Sequence, residues 1–220
     1  MSRRLLIPWP GRAAVVAFTS AILVAWMGIA YHRHRTGTAF DKSVDSWIRH
    51  RSTTLIDALI HLSDPPFVAV LFTVLIAAAI WRKRWDVATF ALVTPLLATL
   101  LVEQVLKPWI HRTQSDPYIV HTFGYEPLAF PSGHETGIGS FLAVTGLLVL
   151  ASRWSRRRKI QALVVMAVID VLAAAALVGR YYHYATDTIG AWLVCVTVAI
   201  VVALAVDTIA RYRAVKARTS

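Results

Sequence analysis

The apolar residues of this chain fall into six long blocks separated by short polar segments. The blocks span residues 13–31, 67–81, 87–106, 136–151, 160–179 and 188–210. A helix needs about 20 mostly apolar residues to cross the hydrocarbon core of a bilayer, and the two shortest blocks can be extended towards their N-terminal ends. The pattern predicts an all-α fold, a polytopic membrane protein in which six transmembrane helices form a single membrane domain over residues 1–220.

The segment between the first two blocks, residues 40–63, has a different pattern. Its apolar side chains recur at mostly helical spacing among polar ones, which is typical of helices that lie on a membrane surface. We therefore expect one or two short amphipathic helices there, on the outer face. Both a packing cap over the bundle and a role at the substrate entrance fit this pattern.

Composition agrees with a membrane protein. Hydrophobic residues make up 57% of the chain and charged residues 16%, whereas a soluble domain carries about 25% charged residues. The high hydrophobicity excludes a disordered chain, and the single cysteine, Cys195, excludes a disulfide scaffold.

The net charge of +11 is distributed unevenly among the loops. If the N-terminus is inside, 15 of the 23 Lys and Arg residues lie in cytoplasmic segments and 8 in outer segments. The positive-inside rule then predicts a cell (plasma or inner) membrane protein with both termini in the cytoplasm. The basic runs are interpreted as topology signals that contact anionic lipids. No nucleic-acid partner is expected, because the runs are short and lack interleaved stacking aromatics.

Polar residues that can take part in catalysis or binding are concentrated in three segments of the predicted outer face. One is Lys107-Pro-Trp-Ile-His-Arg112, the next is Pro131-Ser-Gly-His134, and the last runs from Arg180 through His183 to Asp187. They bring together cations, histidines, a Ser-Gly turn and a carboxylate. On the third span, Glu103 lies one helical turn before Lys107 and is expected to pair with it.

The Ser-Gly segment predicts a helix N-terminus. Ser132 followed by Glu135 fits a capping box at the start of the fourth span. Free N–H groups at a helix start form a ready phosphate site, and Gly133 lets a ligand approach the backbone closely. His134 then lies in the first turn, next to whatever binds there.

In the last segment, Asp187 follows His183 at a spacing that lets its carboxylate reach the imidazole. A hydrogen bond to one ring nitrogen would fix the tautomer and leave the other nitrogen free to attack or to accept a proton. The histidines are too scattered to make a coherent metal site, and no nucleotide- or cofactor-binding motif is present. We therefore expect no metal and no cofactor.

The order of these residues is similar to that of the type 2 phosphatidic acid phosphatase superfamily, the integral-membrane lipid phosphate phosphatases. The resemblance covers about residues 87–192 and is strongest at Pro131-Ser-Gly-His134 and at the stretch from His183 to Gly190. It implies a six-helix bundle, a site at the outer leaflet, metal-independent hydrolysis and a phosphohistidine intermediate. Carried over, the catalytic residues are His183 as nucleophile, Asp187 as the group that orients it and His134 as general acid. The phosphate-binding residues are Lys107, Ser132, Gly133 and Arg180.

The sequence departs from the family pattern at two places. Gln114 stands where the first motif has arginine, and we interpret Arg112, two residues earlier, as a phosphate-binding substitute. Arg180 lies three residues before His183, whereas the family position for this arginine corresponds to Leu177.

The expected reaction is hydrolysis of a lipid phosphate or pyrophosphate, with polyprenyl phosphates, phosphatidic acid and phosphatidylglycerophosphate as candidate substrates. The expected partners are the lipid substrate and membrane lipids; the sequence does not indicate an oligomeric state. Two alternatives remain open: a degenerate relative that binds a lipid phosphate without turnover, and a transporter. Asp170, in the middle of the fifth span, is expected either to have a functional role or to hydrogen-bond to one of several threonines, Thr94, Thr99, Thr145 or Thr197.

Overall fold

The computed structural model of the protein describes residues 6–34, 36–49, 53–114, 120–121 and 124–219. We number its helices in chain order. They are α1 (Pro10–Tyr31), α2 (Ala39–Arg49), α3 (Thr53–Ile60), α4 (Pro65–Trp81), α5 (Trp85–Ile110), α6 (Gly133–Ala151), α7 (Arg156–Gly179) and α8 (Ala185–Thr219). A 3-10 turn, His61–Ser63, joins α3 to α4, and α5 contains a π-helical turn at Val102–Leu106.

Each of the six apolar blocks forms a helix. Five of these helices, α1, α5, α6, α7 and α8, are long and apolar enough to cross a membrane, and the sixth, α4, has 17 residues. The all-α, multi-pass membrane fold expected from the sequence is therefore confirmed. Helix α8 has 35 residues, about 52 Å at 1.5 Å per residue, so it is longer than the hydrocarbon core is thick.

The helices begin where the local sequence satisfies free N–H groups or removes them. Proline occupies the first turn of α1 and α4, where its missing N–H costs nothing. Serines cap α6 and α7: Ser132 Oγ accepts from the N–H of Glu135 at 3.1 Å, and Ser155 Oγ accepts from the N–H of Arg158 at 3.4 Å. The N-terminal segment is fixed by Asp207 of α8, which accepts the N–H groups of Leu6 and Ile7, both at 2.9 Å.

Helix α8 lies at the centre of the bundle and packs against α1, α5 and α6. Its fully buried positions include the small residues Ala191, Ala199 and Ala203, which let neighbouring backbones approach closely. Large apolar side chains such as Phe18 and Val171 point outward and are exposed. This is the arrangement expected of a bundle surrounded by lipid, in which the outside is as apolar as the core.

The amphipathic segment forms α2, α3 and the 3-10 turn, as expected; its residues 50–52 lie outside the described part of the chain. It covers one end of the bundle: Ile48 of α2 packs with Val178 of α7 and Ala185 of α8. At this same end α1, α5 and α7 finish, while α4, α6 and α8 begin. The three polar segments identified in the sequence therefore lie at one end of the bundle.

Candidate functional site

Lys107 and Glu103 form the ion pair expected from their spacing, with 2.7 Å between Lys107 Nζ and Glu103 Oε1. The pair lies beside the first residue of α6. A Cβ atom added to Gly133 would come within 2.6 Å of Glu103 Oε1 and 3.3 Å of Lys107 Nζ. Glycine at this position therefore lets an ammonium group lie next to the unpaired N–H groups of a helix start, two features that both attract an anion.

The two histidines of the motifs come together. The rings of His134 and His183 are 6.0 Å apart between centroids and steeply inclined to each other, and Tyr182 flanks His134 at 5.8 Å. His134 is half-buried, and His183 is 7% exposed. One small tetrahedral group placed between these imidazoles can contact both.

The tautomer of His183 follows from its hydrogen bond. Nδ1 lies 3.0 Å from the carbonyl oxygen of Ala129. A carbonyl oxygen only accepts, so Nδ1 carries the hydrogen and Nε2 keeps its lone pair. From the spacing of the two residues, Asp187 was expected to make this bond. Asp187 Oδ2 lies instead 3.8 Å from Nδ1, close enough for charge attraction but beyond hydrogen-bond distance.

Asp187 is fully buried and connects the polar segments. Its Oδ1 accepts from Arg112 at 2.6 Å, its Oδ2 accepts the N–H of Tyr184 at 2.9 Å, and its backbone carbonyl accepts the N–H of Ser132 at 3.2 Å. Since Ser132 uses its N–H in this way, the capping box expected at α6 is half formed. The serine accepts from Glu135, but the Glu135 side chain does not bond back.

Arg112 is fully buried, with its guanidinium 4.5 Å and 4.6 Å from the ring centres of Tyr31 and Tyr184. NH2 donates to Asp41 at 2.9 Å, and NH1 donates to Asp187 and to Thr186. Arg112 was expected from the sequence to be a phosphate ligand. In the structure its NH1 and NH2 groups bind protein carboxylates and a hydroxyl, while its Nε is buried without a hydrogen-bond partner among the described residues.

Asp41 is the site residue that sequence reasoning missed. It lies in the first turn of α2, a segment that was interpreted through its apolar residues alone. The signal available in the sequence was one acid at the start of a helix, which is ordinary for helix termini. Its contact with Arg112 spans 71 positions of the chain, and no local pattern reports a pairing at that distance.

The two departures from the motif pattern also have definite positions. Gln114 is 2% exposed, and its Nε2 donates to the carbonyl of Tyr181 at 3.0 Å, in the turn between α7 and α8. Gln114 thus holds the backbone of this turn rather than lining an open cleft. Arg180 caps the C-terminal end of α7 and is half-buried, three residues before His183.

Asp170 has a different neighbour from the threonines expected. Its carboxyl group adjoins that of Glu135 on α6, and the described hydroxyls of Thr94, Thr145 and Thr197 bond to backbone carbonyls. Both carboxyl oxygens of Glu135 and Oδ1 of Asp170 are buried without a well-aligned hydrogen bond.

An apolar cleft leads to the polar site. It lies between α4, α5 and α6, has a volume of about 580 Å³, and reaches Lys107, Gly133 and His134 at one end. The remaining walls are largely aliphatic and aromatic, and include Val68, Phe72, Leu92 and Leu96. A molecule with a long apolar part and one anionic end fits such a shape.

Comparisons with known proteins agree with this geometry. The fold is similar to the crystal structure of the first transmembrane PAP2 type phosphatidylglycerolphosphate phosphatase from Bacillus subtilis, with a TM-score of 0.65 and 21% identity, over 84% of this chain and 93% of that chain. None of the curated proteins compared matches the sequence. Residues 88–211, more than half of the chain, match the family model of the PAP2 superfamily. The chain therefore belongs to the PAP2 superfamily and is a multi-pass membrane phosphatase.

Proposed function

We propose that this phosphatase hydrolyses a lipid phosphate or pyrophosphate in the outer leaflet through a phosphohistidine at His183. The observation that carries the proposal is the apolar cleft ending at Lys107, Gly133 and His134. Its walls suit an acyl or prenyl chain, and its polar end suits a phosphate. Polyprenyl phosphate or pyrophosphate, phosphatidic acid and phosphatidylglycerophosphate are the candidate substrates, since each has one chain-bearing end and one phosphorylated end.

In the first step, the lone pair on Nε2 of His183 attacks phosphorus in line with the bond to the leaving oxygen. The N–P bond forms as that P–O bond breaks, and His134 gives a proton to the leaving oxygen. The ring of His183 becomes positively charged, because Nδ1 keeps the hydrogen that it donates to the carbonyl of Ala129. The carboxylate of Asp187, 3.8 Å from Nδ1, stabilises this charge.

The phosphoryl oxygens need positive charge throughout the reaction. Lys107 and the N–H groups at the start of α6 supply it from one side, and we assign Ser132 and Arg180 to the same task. Such preorganised donors act most strongly in a site that excludes water. The ion pair with Glu103 holds Lys107 next to Gly133 before the substrate arrives.

In the second step, water attacks the phosphohistidine on phosphorus. His134, neutral after the first step, accepts a proton from this water, the N–P bond breaks, and inorganic phosphate leaves. His183 returns to its neutral form with hydrogen on Nδ1. The sum of both steps consumes one water and leaves both histidines as they began.

Phosphate release from a panel of lipid phosphates in detergent tests this proposal. We expect His183→Ala to lose at least about 1000-fold in kcat, while His32→Ala, at an exposed histidine, keeps the wild-type rate. An acid-labile phosphoenzyme should be trapped in the wild type and be missing in His183→Ala. Hydrolysis that EDTA abolishes and Mg²⁺ restores would refute the histidine mechanism. Lipid phosphate binding without any release would establish instead a binding protein without turnover.

A further inference from the structure

Asp41 is buried at the heart of the site, although it comes from the surface helix α2. It is 1% exposed, and both of its oxygens accept hydrogen bonds, one at Oδ1 and four at Oδ2. Oδ1 accepts the N–H of Thr186 at 2.8 Å, and Oδ2 accepts from the hydroxyl of Thr186 and from Arg112 NH2. The N–H and hydroxyl of Thr38 also donate to Oδ2. Asp41 lies outside residues 88–211, the part that matches the superfamily.

Arg112 joins this aspartate to the second one. Its two terminal nitrogens bind different carboxylates, Asp41 at 2.9 Å and Asp187 at 2.6 Å, and none of the three side chains is more than 1% exposed. Charge-assisted bonds of this kind are short and directional, and burial removes the screening that weakens surface pairs. The three groups therefore form a fixed unit that connects α2, the end of α5 and the start of α8.

The unit has an uneven charge. One guanidinium is shared by two carboxylates, so a net negative charge remains, and Asp187 carries it to within 3.8 Å of His183 Nδ1. If Arg112 bound Asp187 alone, the positive charge would be matched by that carboxylate and the attraction for a cationic imidazole would fall. Because Asp41 also binds the guanidinium, its positive charge neutralises Asp187 only in part.

We propose that Asp41 and Arg112 are positioning residues of the phosphatase site. They hold Asp187 in place, and through Asp187 they keep a carboxylate 3.8 Å from the ring of His183, where positive charge develops during attack. The proposal rests on the proposed function for the roles of His183 and Asp187. It replaces the interpretation of Arg112 as a phosphate ligand. The two roles can be distinguished, because loss of a positioning residue lowers kcat whereas loss of a ligand raises KM.

The kinetic test compares Asp41→Asn and Arg112→Lys with Asp45→Asn, which removes the same charge one helical turn further along α2. Small displacements of a reacting group cost up to about 100-fold. We expect Asp41→Asn to lower kcat about 10- to 100-fold with KM within about twofold of wild type. Arg112→Lys keeps the charge without the two-pronged geometry and should also lower kcat at a nearly constant KM. A rise in KM at an unchanged kcat for Arg112→Lys would make Arg112 a phosphate ligand and overturn the proposal.

A second measurement does not depend on turnover. The ¹⁵N spectrum of the His183 ring, assigned with His183→Ala, should show hydrogen on Nδ1 in the wild type and in Asp45→Asn. In Asp41→Asn and Arg112→Lys we expect hydrogen to stay on Nδ1, where the carbonyl of Ala129 accepts it. The ring ¹⁵N signals should shift, because the carboxylate of Asp187 no longer lies 3.8 Å from Nδ1. If the wild type releases no phosphate from any lipid, the proposed function fails, and these spectra still decide the positioning role. Wild-type spectra in both variants would overturn it.

Discussion

The carboxyl group of Glu135, in the first turn of α6, adjoins that of Asp170 on α7 inside the helix bundle. Two ionised carboxylates side by side repel each other strongly where the dielectric constant is low, so we expect the pair to share one proton. Glu135 follows His134 in the chain, so the pair joins the helix start that carries the motif to the neighbouring helix.

This pair predicts which substitutions the bundle tolerates. Glu135→Gln should keep the unfolding temperature of the detergent-solubilised protein or raise it, because an amide donates a hydrogen to Asp170 without any need for a shared proton. Asp170→Asn should behave in the same way. Glu135→Ala should cost about 1–3 kcal/mol, since it leaves Asp170 buried without a partner. Thermal unfolding of the three variants checks this, and equal destabilisation by Gln and Ala would argue against a proton-sharing pair.

Gly190 predicts a link between packing and catalysis. A Cβ atom at this position would lie 2.5 Å from the ring of Phe130, which is fully buried against Tyr31. Because the ring has little room, Gly190→Ala should displace the backbone at Ala129, whose carbonyl holds His183. We expect about 1–3 kcal/mol of destabilisation from overpacking together with a lower kcat.

A compensating change checks the reason for that loss. Phe130→Leu shortens the side chain that Gly190→Ala would strike, so the double variant should recover part of both stability and kcat. Thermal unfolding and phosphate release on the same samples measure the two effects. If Gly190→Ala alone unfolds and turns over like the wild type, the contact with Phe130 does not position Ala129.

The helices and the grouping of the motifs could be predicted from the sequence, because both depend on local patterns. Long apolar blocks report helices that cross a bilayer, and alternating crossings bring every second loop to one end. Local partners such as Glu103 and Lys107 could also be predicted, but the hydrogen bonds between distant segments of the site could not. Helical spacing predicted a hydrogen bond from His183 to Asp187, yet His183 donates to the carbonyl of Ala129 instead. Arg112 was assigned to phosphate because it lies two residues before the motif position that Gln114 occupies, whereas its partner Asp41 comes from a distant helix, a contact that depends on tertiary packing alone.

The orientation of the protein predicts which residues an impermeant reagent reaches. The native Cys195 is fully buried, so the wild-type chain should give little background labelling. Tyr125 is exposed at the end that holds the site, and Arg157 is exposed at the opposite end. On intact cells, an impermeant maleimide should label Tyr125→Cys at once and Arg157→Cys only after permeabilisation. The reverse pattern would place the site in the cytoplasm and contradict the outer-leaflet proposal.

Asp41 predicts how stability depends on pH. Burial alone would raise the pKa of Asp41, but the hydrogen bonds from Thr186, Thr38 and Arg112 outweigh it and hold the pKa below its usual value. A lowered folded-state pKa means that the charge of Asp41 stabilises the fold above the unfolded-state pKa, about 3.9. This contribution is lost as pH falls through the folded-state value.

Thermal unfolding between about pH 7 and pH 3 checks that sign, since the window lies around and below the usual aspartate pKa. Asp41→Asn should be less stable than the wild type by an amount that is constant above about pH 5 and shrinks towards pH 3. Asp45→Asn serves as the control for a general change of charge on α2. A difference between Asp41→Asn and the wild type that grows as the pH falls would contradict the lowered pKa.

Gly133 offers the sharpest separation of binding from folding. A Cβ atom on Gly133 would meet the ends of two flexible side chains, Glu103 and Lys107, which can swing away without disturbing the backbone. Alanine is also the better helix former by up to about 1 kcal/mol. Gly133→Ala should therefore unfold at the wild-type temperature or above it. Its kcat/KM should fall about 10-fold, the equivalent of about 1.4 kcal/mol, because Lys107 is displaced from the helix start where phosphate binds.

Two further variants make the result specific. Gly146→Ala lies on the same helix, where the added Cβ would make an ordinary contact of 3.7 Å with Leu163; it should gain the same helix propensity and keep full activity. Combining Gly133→Ala with Glu103→Asp draws the closest atom away from the new methyl group and keeps a carboxylate for Lys107, so kcat/KM should recover in part. Wild-type kcat/KM in Gly133→Ala would mean that the position of Lys107 beside the start of α6 does not matter for phosphate, and that the anion is held elsewhere.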